Sequence, residues 1–67
     1  QRRVVVHLGT YGVASRFWFD PQSIEALELR RGAIEPVIAP GGEKSRVLIR
    51  LTPKGEAAAT SYLRKAV

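Results

Sequence analysis

The chain has 67 residues, of which 45% are hydrophobic and 25% charged, the balance of one small folded domain rather than of a disordered segment. Eleven Lys and Arg against six Asp and Glu give a formal net charge of +5, which favours polyanionic partners through counterion release. There is no cysteine, which excludes a disulfide scaffold, a thiolate nucleophile and a cysteine zinc site.

A domain of this size is expected to bind rather than to catalyse. With one histidine and no cysteine, the sequence predicts no enzyme activity, no cofactor and no metal. No apolar run approaches the roughly 20 residues that cross a bilayer, so we expect no membrane partner and a cytoplasmic location. Residues 1–67 are treated as one domain, and a start at Gln1 rather than Met indicates a fragment or a trimmed terminus. A core this small supplies about 3–5 kcal/mol, so we expect a homodimer or contacts with a parent protein.

The positive charge is concentrated at the two ends of the chain. Residues 1–19 carry a net +3 with no acidic residue, residues 20–43 carry −3, and residues 44–67 carry +5. Both ends are therefore candidates for contact with a polyanion. The alternative is that the charge serves solubility alone.

The first part of the chain predicts strands. Residues 2–8 contain three consecutive β-branched valines, a composition typical of a strand. Residues 13–19 fit two conformations. A strand would turn Phe17 and Phe19 toward the core, whereas a helix would bury Phe17 and leave Trp18 at a turn.

The next element is a helix with clear signals at both ends. Asp20 is a good N-cap, and Pro21 suits the first helical position. Residues 22–31 are mostly good helix formers. Gly32 is the expected stop.

A β-hairpin and a last helix follow. Residues 33–39 and 45–51 predict two strands joined by a glycine-rich turn. Pro36 confines the first of these strands to an edge or a bend, because proline cannot donate to a strand ladder. Thr52 is the expected cap of the last helix, which runs to Lys65.

The same pattern has a second interpretation, an internal duplication. Shifting the chain by 32 residues brings Gly9 onto Gly41 and the first proline-opened helix onto the second. Each half would then be a hairpin followed by a helix. The fold would be ββαββα, with residues 13–19 as a strand.

One stretch resembles a known DNA-binding fold. After the helix that ends at Gly32 come an apolar strand, a charged glycine-rich turn, a second strand and the motif Leu51-Thr52-Pro53-Lys54-Gly55. This order resembles the winged half of winged-helix DNA-binding proteins, and the motif matches the Leu-Thr-x-x-Gly helix start of MarR-type regulators. The resemblance covers residues 29–60, and in length the chain is similar to the small excisionase-like winged helices.

The resemblance implies a fold and a function. The fold would be a small α+β winged helix-turn-helix with a C-terminal helix. The function would be non-covalent nucleic-acid binding, with DNA favoured over RNA, in transcriptional regulation or as an accessory factor in recombination. MarR-type proteins also have a helix before this unit, where residues 2–8 predict a strand.

The charged turn suits contact with phosphates. Its glycines let the backbone approach the duplex, and Lys44 and Arg46 place positive charge on either side of Ser45. Lys44, Ser45 and Arg46 are therefore candidate nucleic-acid contacts. Lys54, at the start of the last helix, and Arg16 are further candidate phosphate contacts.

The helix before the hairpin would lie in or near the major groove. It carries Glu25 and Glu28, which repel phosphate and can accept only from cytosine amino groups. Gln22 and Ser23 therefore remain as the candidate base contacts.

Three adjacent aromatic residues, Phe17, Trp18 and Phe19, are the largest source of apolar area in the chain. We expect them to pack in the core or in a dimer interface rather than to stack on bases. They also define the alternative function, a protein-interaction or assembly domain whose aromatic strand pairs with a partner. A helix at residues 13–19 favours DNA binding, and a strand paired with residues 3–8 favours the interaction domain.

Overall fold

Three helices and a three-stranded antiparallel sheet form the fold of residues 1–65, the part of the chain that the computed structural model describes. The predicted small α+β class is therefore confirmed. The elements are helix α1 (Arg2–Tyr11), strand β1 (Val13–Ser15), a 3-10 turn (Arg16–Trp18), helix α2 (Pro21–Glu25) with a π-helical continuation (Ala26–Arg30), strands β2 (Ile34–Ile38) and β3 (Lys44–Leu51), and helix α3 (Pro53–Lys65).

Strand β3 is the centre of the sheet. Strands β1 and β2 both pair with it in antiparallel fashion, in the order β1-β3-β2. Ala14 lies opposite Ile49, and Pro36 lies opposite Ile49 from the other side. Beyond Pro36 the register shifts, so that Ile38 lies opposite Lys44. The prediction that Pro36 sits on an edge strand is confirmed.

The strand predicted at residues 2–8 is wrong, because these residues belong to α1. Val4, Val5 and Leu8 lie on one helix face and are at most 3% exposed. The strand preference of valine is a weak prior, and burial of one helix face overrides it. The ββαββα alternative fails for the same reason, since the first half of the chain opens with a helix rather than a hairpin.

Residues 13–19 are neither one strand nor one helix. Val13–Ser15 pairs with β3 and not with residues 3–8, and Arg16–Trp18 forms the 3-10 turn. Residues 13–19 therefore form neither the helix that would favour DNA binding nor the strand paired with residues 3–8 that would favour the interaction domain.

The aromatic triplet is split between the core and the surface. Phe19 is half-buried against the core, but Phe17 and Trp18 are 74% and 70% exposed. The predicted burial of Phe17 is wrong. Successive side chains of a 3-10 turn point about 120° apart, so three adjacent rings do not share one buried face. Phe17 and Trp18 therefore do not belong to the core.

The signals at the two ends of α2 are confirmed. One carboxylate oxygen of Asp20 accepts a hydrogen bond from the Ser23 N–H at 3.2 Å. Gly32 ends the element with a φ of 59°, the left-handed region that favours glycine. The π-helical winding was not predicted, and it shows in the bond from the Arg31 N–H to the Ala26 carbonyl at 3.0 Å.

The core draws on every helix and strand. Its centre is Ile49 on β3, which is 0% exposed. The buried apolar side chains are Val4, Val5, Leu8, Ala14, Ile24, Leu27, Ala33, Ile34, Ile49, Leu51 and Ala59.

The Leu51-Thr52-x-x-Gly55 motif ties the start of α3 to the segment that follows α2. The Thr52 hydroxyl donates to the Gly32 carbonyl at 2.6 Å and accepts from the Gly55 N–H at 3.2 Å. The Thr52 N–H donates to the Ala33 carbonyl at 3.0 Å. Gly55 is buried, and a Cβ there would overlap the same Ala33 oxygen. The motif therefore fixes the base of the hairpin relative to α2.

Candidate nucleic-acid interface

The hairpin between β2 and β3 presents two of the predicted cations at its tip. The Ala39 N–H donates to the Glu43 carbonyl at 2.9 Å, and the Gly42 N–H donates to the Ala39 carbonyl at 2.8 Å. Gly42 has a φ of 88°, which a residue with a side chain rarely adopts. Lys44 and Arg46 follow this turn and are both exposed. The tip is cationic, although it also carries the Glu43 carboxylate.

Ser45, a predicted nucleic-acid contact, shapes the hairpin. Its Oγ accepts hydrogen bonds from the N–H groups of Val47 and Leu48, at 3.1 and 2.9 Å. These bonds lie where the register between β2 and β3 shifts. They give the Val47 and Leu48 N–H groups a side-chain partner beside this irregularity. Ser45 therefore shapes the backbone that carries Lys44 and Arg46.

The outer face of α2 carries a row of accessible side chains. Gln22, Ala26 and Arg30 border one shallow depression together with Glu25, and Gln22, Glu25 and Arg30 are exposed. Arg30 is missing from the predicted site. The sequence does carry a signal for it, because Gln22, Ala26 and Arg30 follow one another at intervals of four, the spacing that places residues on one helix face.

Ser23, the second predicted base contact, is engaged in the cap of α2. It is half-buried, its N–H donates to the Asp20 carboxylate, and its hydroxyl lies 3.4 Å from the same oxygen. Gln22 is therefore the accessible member of the predicted pair.

Arg16 forms an ion pair inside the free chain. Its guanidinium lies 3.3 Å from the Glu28 carboxylate, and the two side chains are 30% and 22% exposed. The pair links the 3-10 turn to the π-helical part of α2. Arg16 is thereby less available to a phosphate, and the negative charge of Glu28 is compensated beside the proposed groove-facing helix.

Lys54 lies far from the hairpin tip. Lys44 opens β3, and Lys54 follows the other end of that strand, roughly 20 Å away at the usual rise per residue. There Lys54 and Arg31 line a small pocket together with Tyr62. The structure brings Lys44 and Arg46 together and leaves Lys54 apart.

Residues 1–65 contain neither a metal-binding cluster nor a membrane-spanning helix. No group of three His, Cys, Asp or Glu side chains in that part of the chain is placed to hold a metal ion. None of the helices there has the length and apolar character needed to cross a membrane. Comparisons with protein-family models, curated proteins and solved structures found no match for this chain.

Proposed function

We propose that this chain is a winged-helix-like DNA-binding module that acts in transcriptional regulation or as an accessory factor in recombination. One observation carries the proposal. A hairpin with Lys44 and Arg46 exposed follows directly after a helix whose outer face presents Gln22 and Arg30. A winged helix uses these two elements together, the helix in the groove and the hairpin against the backbone.

The order of the elements supports this interpretation. Helix α1 occupies the place of the helix that MarR-type proteins have before the winged unit, and β1 and β2 flank β3 in one sheet. The helix that usually precedes the groove-binding helix is reduced to the 3-10 turn at Arg16–Trp18. The ion pair of Arg16 with Glu28 and the packing of Phe19 on the core brace α2 in its place.

The mechanism is non-covalent and divides between two elements. The hairpin cations neutralise phosphates, which supplies most of the affinity without reading sequence. On α2, the Gln22 amide suits the two-point pattern of adenine, and the Arg30 guanidinium suits that of guanine. DNA is the favoured target, because the deep and narrow major groove of A-form RNA does not admit side chains.

The double substitution Lys44→Ala with Arg46→Ala is expected to weaken duplex binding while the domain stays folded. Each lost contact removes an attraction of about 1 kcal/mol in water, so the affinity should fall roughly 30-fold for the pair. Surface substitutions usually change stability by less than about 0.5 kcal/mol. Fluorescence anisotropy of a labelled duplex at low salt measures the affinity, and a thermal melt checks the fold.

The matched control is Arg64→Ala with Lys65→Ala, which removes the same charge from the exposed last turn of α3. If the two double variants lose affinity equally, binding follows net charge and the hairpin is not the contact. If the hairpin variant binds as the unmodified chain does, the winged-helix proposal is wrong.

A further inference from the structure

A cluster of aromatic rings lies between the end of α1 and the 3-10 turn. The His7 ring lies 4.7 Å from Tyr11 and 6.0 Å from Trp18, measured between ring centroids, and it meets Trp18 nearly at right angles, at 86°. Phe19 approaches the same imidazole at 5.4 Å from the half-buried side. We call His7, Tyr11 and Trp18 the aromatic surface.

The rings of the aromatic surface are held in position but remain exposed. Tyr11 and Trp18 are each 70% exposed, so their contacts with His7 position the two rings without covering them. Two large exposed rings in contact with one imidazole are a recognised mark of an interaction site, because such area is normally buried in a monomer.

An exposed arginine lies beside the aromatic surface. Residues 1–19, which contain all of it, carry three arginines and no acidic residue. Arg2 lies over the ring of Tyr62, 5.2 Å from its centroid, and Arg16 is paired with Glu28. Arg3 is exposed and precedes His7 by one helical turn, so the two side chains are neighbours on α1.

We propose that the aromatic surface binds single-stranded nucleic acid, with unpaired bases stacked on Tyr11 and Trp18 and a phosphate held by Arg3. Aromatic rings accept any base because every base has a π-face, and a nearby cation tracks the backbone. This activity goes beyond duplex binding by the hairpin and uses different residues.

Charge complementarity selects this occupant over a second copy of the chain. Two aromatic surfaces facing each other would each bring the exposed Arg3 cation and no carboxylate of their own, and like charges oppose that association. A strand of nucleic acid supplies both complements of this surface, bases that stack on Tyr11 and Trp18 and a phosphate that pairs with Arg3.

Trp18 is the only tryptophan in the chain, so its fluorescence reports directly on stacking. Titration with a thymidine oligonucleotide of about twelve nucleotides, within the usual span of a single-strand site, is expected to quench this emission to saturation. Inorganic polyphosphate carries the charge without bases, and it is expected to leave the emission unchanged. Quenching by polyphosphate as strong as that by the oligonucleotide would overturn the stacking proposal.

The substitution Trp18→Ala is expected to weaken binding of the labelled oligonucleotide roughly 5- to 150-fold, the range seen when one stacking ring is removed. Phe17→Ala is the matched control, since Phe17 is the adjacent residue, is 74% exposed, and makes no ring contact with His7. Both variants should keep the melting behaviour of the unmodified chain, because both rings are exposed. Equal losses in the two variants would overturn the assignment to the aromatic surface.

Two further results separate this proposal from its competitors. If sedimentation shows a dimer of the free chain that Trp18→Ala dissociates, the aromatic surface holds a second copy and the proposal is wrong. If the chain binds duplex DNA through Lys44 and Arg46 but does not bind the oligonucleotide, the single-strand proposal alone fails. If only the oligonucleotide binds, the winged-helix proposal alone fails.

Discussion

Replacing Gly55 with alanine is expected to remove most of the folding stability of the chain. In an isolated helix this change would stabilise by about 1 kcal/mol. Here the new Cβ would overlap the Ala33 carbonyl oxygen and lie 3.0 Å from a methyl group of Leu51. Relief requires α3 to move away, which also breaks the bonds of Thr52 to Gly32 and Ala33.

The cost of this displacement exceeds the gain in helix propensity. Overpacking costs about 1–3 kcal/mol or more, and each lost hydrogen bond adds about 1 kcal/mol. The total approaches the roughly 3–5 kcal/mol that a core of this size supplies. Urea unfolding measures the change. Gly41→Ala is the control, because no atom lies within 4 Å of a Cβ there, and it should be neutral. A Gly55→Ala variant as stable as the unmodified chain would contradict the packing of α3 on Ala33.

The substitution Ile49→Ala is expected to have a similarly large effect. Ile49 is 0% exposed and lies on the central strand between Ala14 of β1 and Pro36 of β2. Truncating a buried isoleucine costs about 2–5 kcal/mol through lost burial and the cavity that remains. The neighbouring Leu48 is 41% exposed, so Leu48→Ala should cost much less. Thermal melts of the two variants compare them, and similar losses would contradict the placement of the core at Ile49.

Local signals in the sequence were sufficient to predict those features in which a residue acts on its own neighbours in the chain. Asp20 and Thr52 cap the helices that follow them, and Gly32 takes the left-handed conformation that ends α2. The hairpin was predicted for the same reason, since its turn needs the glycine at position 42, whose φ is 88°. These features depend on chain geometry over four or five residues, and the identities of those residues are enough to predict it.

Features that depend on tertiary packing were not predictable in this way. The three valines of α1 have strand propensity, but Val4 and Val5 gain more by burial with Leu8 on one helix face. Phe17 is as apolar as Phe19, and only the path of the 3-10 turn decides which of the two rings reaches the core.

The features of the candidate site also divide into those set by neighbouring residues and those set by tertiary packing. Exposure of Lys44 and Arg46 follows from their place beside a tight turn, and it was predicted. The ion pair of Arg16 with Glu28 joins residues twelve positions apart, and no local pattern signals it. The pair weakens a predicted phosphate contact and a predicted repulsion at once.

The salt dependence of duplex binding tests the central claim most directly. Phosphate contacts from Lys44, Arg46 and Lys54 predict that the logarithm of the binding constant falls against the logarithm of salt concentration with a slope of about −2.7. The double variant Lys44→Ala with Arg46→Ala should reduce the magnitude of the slope by about 1.8. An affinity that does not change with salt, or no binding to any duplex at low salt, would contradict the account.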